Sequence, residues 1–338
     1  MNTRRLLAVS LIGAVIMIPA AGCASGGGGP ALTSVMSTPE EPDITVAAIP
    51  AVDLAGLYIA QDRGLFAQQG LHVTIEQIPS SQSVITDQLE GKFDISAGSY
   101  VAYIAAEAAG ARFRILAEAS TLSPDTRALV VTGNSPITTI AELAGKKIGV
   151  NGVNSIGTLL ISALLSANGV SPAKVRFVPA QGGFPPMPRE LRDGVWDAAF
   201  LAEPYITAAG EQYGEEVLAD LDQGAVLSLP VDGYVATQAW AQKYPKTAAA
   251  FTRAIERGQQ IANSDASAVQ ATMARNDSLP PPVTAAMALP RYPVGPVVEA
   301  NIQRVARAMY QAGILGPADA TEAGQQALVG SMAGPATS

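Results

Sequence analysis

The chain has 338 residues, of which 48% are hydrophobic and 15% are charged, so it carries enough apolar material for two buried cores. Its formal net charge is −8. An acidic chain without a basic patch is not expected to bind nucleic acid, because such binding depends on positive charge against phosphates.

The first 22 residues predict a secretory signal peptide. Arg4 and Arg5 precede an apolar run over 6–18, and small residues follow up to Gly22. The run is short for a membrane anchor, which is the alternative interpretation, and no stop-transfer pattern follows it. The two arginines leave open whether export uses the general or the twin-arginine route.

Cys23 is the only cysteine of the chain, so an internal disulfide is excluded. It directly follows Ala20, Ala21 and Gly22, a segment that resembles a bacterial lipobox, although Ala20 stands where leucine is usual. The resemblance implies a lipid on Cys23. Residues 23–42 are rich in Gly, Ser, Thr and Pro and predict a flexible tether, which would hold the folded part at the extracytoplasmic face of the membrane.

From residue 43 onward, short apolar strands alternate with helical segments. The pattern predicts strands over 44–50, 72–78, 93–98 and 114–120, with helices between them. The second half repeats this plan with strands near 128–133, 146–151, 175–180 and 195–204. Alternation with connections this short is typical of parallel sheets covered by helices.

One element occurs twice, as EGKFD at 90–94 and as DGVWD at 193–197. Each copy predicts a helix that ends at a glycine in a left-handed conformation, followed at once by a strand. The repetition indicates two lobes built alike. We expect Asp94 and Asp197 to fasten this turn and not to choose a ligand.

A longer stretch, PAVDLAGLYIAQDRGLFAQQGLHVTIE, has Tyr58, Ala60, Gly64, Phe66, Gly70, Leu71 and Val73 at characteristic spacings. With LEGKFDISAG, NSPITTIAELAGKKIGVNG, LRDGVWDAAFLAEP and DGYVAT, it resembles the periplasmic-binding-protein family that serves nitrate, sulfonate, taurine and thiamine-pyrimidine ABC importers. The resemblance covers residues 44–315.

The resemblance implies a two-lobed α/β fold of the type II periplasmic-binding-protein kind, with a cleft between the lobes. Lobe one would hold 43–127 and 239–325, lobe two 128–238, and 326–338 would form a flexible tail. The crossover strands would be 128–133 and 233–237. A monomer without cofactor would capture a small polar solute and deliver it to a membrane permease.

Ligands of open α/β sheets bind beyond the carboxyl ends of the strands. This rule, applied to both lobes, selects the candidate ligand-binding residues Asp53, Leu54, Ser81, Gln82, Ser99, Tyr100, Asn154, Ser155, Gly157, Thr158, Glu203 and Tyr234. Asp232 lies near the return crossover as well.

Each group of candidates has a structural alternative. The segment 154–158 offers free N–H groups and hydroxyls to a polar ligand, but an ordinary helix N-cap explains it equally well. Asp53 and Glu203 suit a cationic or amide-bearing solute, or bonds to backbone amides. Tyr100 and Tyr234 could stack on a flat ligand or pack in the core.

An enzyme is the rival class. The single histidine, His72, is predicted at the amino end of a strand, away from the cleft, and one histidine with one cysteine excludes ordinary zinc spacings. A family relative makes the thiamine pyrimidine with a cysteine-rich motif that this chain lacks. A binding module that serves a sensor complex is a further alternative, which the sequence does not exclude.

The candidate residues point to two kinds of solute. Hydroxyls at a helix start favour a sulfonate or another oxyanion, whereas the acidic candidates favour an amine, amide or pyrimidine. Taurine satisfies both.

Overall fold

The computed structural model describes residues 38–316 and 322–333. These residues contain the strands β1 Asp43–Ala48, β2 His72–Gln77, β3 Ile95–Ser99, β4 Phe113–Thr121, β5 Arg127–Val131, β6 Lys147–Val150, β7 Arg176–Pro179, β8 Ala198–Ala202, β9 Glu216–Asp220 and β10 Pro230–Thr237. The signal peptide, Cys23 and most of the predicted tether lie outside the described residues.

The helices between the strands are α1 Ala55–Asp62, α2 Leu65–Gln68, α3 Ser81–Leu89, α4 Tyr100–Ala108, α5 Ile156–Ala167, α6 Met187–Arg192, α7 Tyr205–Tyr213, α8 Gln238–Lys243, α9 Pro245–Ser264, α10 Ala266–Asn276, α11 Pro281–Ala286, α12 Glu299–Gln311 and α13 Glu322–Ala333. Short 3₁₀ turns occupy Val52–Leu54, Ile140–Leu143, Pro172–Lys174 and Gly224–Val226. Within the described ranges, each helix is too short or too polar to cross a bilayer.

Two sheets of five strands organise the chain. The first has the order β2-β1-β3-β10-β4 and the second the order β7-β6-β8-β5-β9. In each sheet three parallel strands lie beside one antiparallel strand, which is β10 in the first sheet and β5 in the second. Along the chain, each of these two strands directly follows a strand of the other sheet. The predicted two-lobed α/β class is confirmed.

The boundary of the second lobe differs from the sequence-based one. Residues 128–238 are predicted to form lobe two, but β10 pairs with β3 and β4, so residues 230–237 belong to the first sheet. The crossings therefore lie at 122–126 and 221–229. An apolar strand pattern is the same in either sheet, and only the packing of its neighbours decides which sheet it joins.

Residues predicted to belong to the tether and the tail pack against the folded part. Glu40, within the predicted tether, accepts hydrogen bonds from the backbone N–H groups of Lys246 (3.0 Å) and Thr247 (2.9 Å) and so caps α9. The predicted tail at 326–338 contains most of α13, because Val329 and Met332 are buried against the first lobe. Burial of these two side chains stabilises a helix that its Ala- and Gly-rich sequence alone would not.

Candidate functional site

The loops at facing ends of the two sheets enclose a small cavity. The first lobe contributes Ile49, Ala51, Asp53, Ser99 and Asp232, and the second contributes Arg127, Asn151, Ser155, Ile156, Phe184, Phe200 and Ala202. The cavity measures about 10 Å³. That is close to the minimum that holds one water molecule, so the lobes are closed on each other.

Direct contacts between the lobes surround this cavity. The backbone N–H of Val52 donates to the carbonyl of Glu203 (3.1 Å). Gly152 of lobe two lies against Ser80 of lobe one, where an added Cβ would stand 3.1 Å from the serine Cβ. These contacts hold the two lobes against each other beside the cavity.

Arg127 is the central charged group of the site. Its guanidinium is 1% exposed, forms an ion pair with Asp53, and lies 3.9 Å from Oδ2 of Asp232. A second nitrogen donates to Oγ1 of Thr126 (3.0 Å). Burial lowers the pKa of Arg127, but the nearby carboxylates more than offset this and raise it above its usual value, so the guanidinium stays charged.

The carboxylates around Arg127 are held differently. Asp53 accepts a further hydrogen bond from the Ser120 hydroxyl (2.6 Å). Asp222 accepts from the backbone N–H (3.0 Å) and the hydroxyl (2.6 Å) of Thr126, and burial raises its pKa to about 6 against the opposing effect of Arg127. Burial and the charge of Asp53 raise the pKa of Asp232 strongly, and Arg127 counteracts only part of this.

Four of the residues that line the cavity each have a buried polar atom without a hydrogen-bond partner among the described residues. These atoms are Nε of Arg127, Oδ1 of Asn151, Oγ of Ser155 and Oδ1 of Asp232. Buried polar groups in folded proteins are nearly always paired, so four such atoms around one cavity indicate a place for a polar ligand. Both lobes contribute to the set.

Among the predicted site residues, Asp53, Ser99 and Ser155 line the cavity. Ser155 ends the loop after β6 and begins α5, and Thr158 braces this turn, since its Oγ1 accepts from the Ser155 N–H (3.2 Å) and donates to the Ser155 carbonyl (2.9 Å). The structure thus places Ser155 at the cavity and at the start of α5, whereas Asn154 is exposed.

The other predicted residues lie around the cavity or away from it. Ser81 accepts a hydrogen bond from the Ser99 N–H (2.8 Å), and Gln82 is exposed. The side chain of Glu203 accepts from Thr207 Oγ1 (2.8 Å) and from the Ala288 N–H (3.2 Å), so it links the two lobes. Buried packing positions are occupied by Leu54, Tyr100, Gly157 and Tyr234.

The sequence analysis did not select Arg127, Phe184 and Phe200, which also line the cavity, whereas Asn151 begins the loop after β6 that the rule selects. The carboxyl-end rule follows parallel strands, but β5 and β10 run antiparallel and present their beginnings to the cleft. Arg127 is the first residue of β5, and Asp232 lies near the start of β10. A charge at the head of the otherwise apolar segment RALVV was the signal that could have found Arg127.

Two like sheets closed over a polar cleft define the two-lobed periplasmic-binding-protein class of fold. The alkanesulfonate-binding protein SsuA from Xanthomonas axonopodis pv. citri, solved with MOPS, is similar with a TM-score of 0.71, 18% identity and coverage of 82% of this chain and 95% of its own. The periplasmic nitrate-binding protein NrtA from Synechocystis PCC 6803 has a TM-score of 0.75, 15% identity and coverage of 88% and 87%. At these identities the likeness shows the fold.

The chain belongs to the NMT1/THI5-like family, whose model matches residues 51–267. A protein of Escherichia coli (strain K12) named for binding aliphatic sulfonates is 26% identical over 213 residues, which span 62% of this chain and 63% of that protein. The match thus covers less than two thirds of the relative. The Saccharomyces cerevisiae 4-amino-5-hydroxymethyl-2-methylpyrimidine phosphate synthase THI11 is 32% identical over 118 residues, 34% of this chain and 33% of that enzyme.

Proposed function

We propose that this protein is the extracytoplasmic solute-binding lipoprotein of an ABC importer. It captures a small polar solute between its lobes and delivers it to a membrane permease. The observation that carries this proposal is the set of four buried polar atoms that lack a partner within the described part of the chain and belong to cavity-lining residues of both lobes. A solute that pairs with atoms of both lobes favours the closed form, since it binds that form better than the open one.

The relatives support binding over catalysis and narrow the solute. The names of the Escherichia coli protein, SsuA and NrtA give them sulfonates or nitrate as ligands, and the yeast relative acts in pyrimidine synthesis. The candidate solutes of this chain are accordingly a sulfonate, taurine, nitrate or a pyrimidine-like compound. The same site would also serve a receptor module of a sensor complex.

A thermal-shift panel tests the binding proposal. The full chain is melted with ethanesulfonate, taurine, nitrate and 4-amino-5-hydroxymethyl-2-methylpyrimidine. A ligand at 100 times its dissociation constant stabilises the folded state by about 2.7 kcal/mol, which is a readily measured shift in Tm. If none of the four raises the Tm at millimolar concentration, the proposed solute classes are wrong.

The lipid anchor has its own test. Cys23 and the tether predict that the protein fractionates with membranes, and Cys23→Ala removes the acylated residue. The variant should move to the soluble extracytoplasmic fraction while its Tm stays unchanged. Retention of Cys23→Ala on the membrane would contradict anchoring through this cysteine.

A further inference from the structure

The charges around the cavity are unequal in number. The guanidinium of Arg127 is surrounded by the three carboxylates of Asp53, Asp222 and Asp232, all of them buried. Such an excess of negative charge in a buried place is unfavourable unless a further cation joins it or a carboxylate takes up a proton. The site is therefore suited to receive positive charge, either as a proton on a carboxylate or as a cationic group of a solute.

The three carboxylates do not share Arg127 equally. Asp53 is paired with it and with Ser120, and Asp222 is engaged by Thr126. Asp232 remains, 2% exposed, with Oδ2 at 3.9 Å from the guanidinium and Oδ1 without a partner among residues 38–316 and 322–333. Oδ1 of Asp222 also has no partner among the described residues, but Asp222 does not line the cavity. Of the two carboxylates that do, Asp53 and Asp232, only Asp232 has an oxygen without such a partner.

The other three atoms without a partner among the described residues are one acceptor and two groups that can donate. Oδ1 of Asn151 is a second acceptor among the cavity-lining residues, which also include the aromatic side chains of Phe184 and Phe200. Nε of Arg127 can only donate, and Oγ of Ser155 can donate at the start of α5. The acceptors would bind a hydrogen-bond donor of the solute, and the donors would bind an oxygen atom of the same molecule.

Resting on the proposed function, we infer that the solute carries a cationic amino group as well as an oxyanion, and that Asp232 selects for the amino group. The ammonium would pair with Asp232 and Asn151, and the oxyanion would accept from Arg127 and Ser155. A simple anion offers no such pairing, because the charge of Arg127 is already matched by Asp53, and Asp232 would have to keep a proton in place of the missing cation.

The test uses pairs of solutes of nearly equal size that differ in the amino group. Taurine is compared with propane-1-sulfonate, and β-alanine with butyrate, by isothermal titration calorimetry on the full chain. In the wild type we expect each amino compound to bind at least about tenfold more tightly than its partner, the ratio that corresponds to about 1.4 kcal/mol. Asp232→Asn, which keeps the shape of the side chain, should reduce this ratio to about threefold or less.

Asp193→Asn is the matched control, because Asp193 lies on the surface of lobe two with its side chain 47% exposed. It should leave the ratio as in the wild type. Equal or tighter binding of propane-1-sulfonate and butyrate in the wild type would overturn the inference while leaving the proposed function intact, and so would an unchanged ratio in folded Asp232→Asn. If none of the four solutes binds and the thermal-shift panel is also negative, the proposed function itself fails.

Discussion

The two repeated turns of this molecule, at 90–94 and 193–197, show what the lobes share. Asp94 accepts a hydrogen bond from the Thr45 N–H of the neighbouring strand (2.8 Å), and Asp197 accepts from the Lys147 N–H (2.8 Å). In each lobe the aspartate precedes the third parallel strand and fixes it to the first strand. The repetition serves the architecture of the sheet and not the ligand, as the sequence predicts.

The same two turns also differ in their surroundings. The second carboxylate oxygen of Asp94 accepts from Nε1 of Trp240 (2.8 Å), whereas that of Asp197 has Lys146 at 3.9 Å and a side chain that is 39% exposed. The first turn is thus locked by a helix that returns late in the chain. Equal sequence elements therefore need not contribute equally to stability.

The cleft separates the lobes in another way. The first lobe brings the carboxylates of Asp53 and Asp232, and the second brings Arg127 with the neutral side chains of Asn151 and Ser155. One framework, used twice, thus presents two carboxylates from the first lobe to a guanidinium, neutral polar groups and aromatic side chains from the second. This asymmetry is what allows the site to orient a solute with two different ends.

The largest effect is expected from breaking the ion pair that joins the two walls. Arg127→Met leaves Asp53 and Asp232 buried without a cation, and removal of one partner of a buried pair costs about 3–5 kcal/mol. Urea unfolding should show this loss. Arg189→Met, at a site with 67% side-chain exposure, is the control and should change stability by less than about 0.5 kcal/mol. Equal effects of both variants would show that Arg127 is not the centre of the cleft.

A second pair of positions tests how the lobes differ in packing. By register, Gly149 in β6 corresponds to Ala47 in β1, and Trp196 corresponds to Phe93. A Cβ on Gly149 would overlap the indole of Trp196, so Gly149→Ala should cost about 1–3 kcal/mol in urea unfolding. Trp196→Phe in the same chain should recover part of this loss, which a double-mutant cycle measures. Additive costs would mean that the two residues are independent.

The repeated aspartates give a smaller effect with an internal control. Asp94→Asn loses charged acceptance from both Thr45 and Trp240 and should destabilise the fold by about 1–3 kcal/mol. Asp197→Asn loses one such bond at a half-exposed site and should cost about 0.5–1 kcal/mol. Chemical denaturation of the two variants side by side checks the order. A larger cost for Asp197→Asn would reverse our account of the two turns.

The smallest effect concerns Glu215, which lies between α7 and β9 in the second lobe and is 7% exposed. Burial raises its pKa to about 7, and Arg192 opposes this only in part. The folded state thus holds the proton more tightly than the unfolded state, so this group lowers stability as the pH rises from about 4.5 to 7.

Glu215→Gln should therefore raise the Tm at pH 8 by about 2 °C and leave it unchanged at pH 4. Glu216→Gln, at an exposed neighbour, should shift the Tm at neither pH. A Glu215→Gln variant with a lower Tm at pH 8 would mean that the charged carboxylate stabilises the fold. Thermal melts at the two pH values distinguish these outcomes.

The sequence predicts the repeated plan well because it is local. Gly91 and Gly194 have φ of 79° and 75°, as expected of residues that end a helix and turn directly into a strand. The course of the strands up to β8 follows from apolar runs with short connections. Local chemistry thus specifies the elements and much of their order.

The cleft depends on contacts that no local pattern encodes. Asp53 and Ser155 follow parallel strands, and the rule for such sheets finds them. Arg127 pairs with a residue 74 positions earlier, and whether Asp232 faces the same cavity depends on which sheet β10 joins. The C-terminal helix α13 likewise depends on the burial of Val329 and Met332 against the first lobe.

Taurine binding to variants of both lobes tests the central claim most directly. Calorimetry should show that Asp232→Asn in lobe one and Ser155→Ala in lobe two each weaken taurine binding by about tenfold or more, since each removes a partner of one end of the solute. Asn154→Ala, next to Ser155 but exposed, should bind as the wild type does. If taurine binds to Asp232→Asn or to Ser155→Ala with unchanged affinity, that residue does not hold its end of the solute, and the proposed bridge across the cleft is wrong.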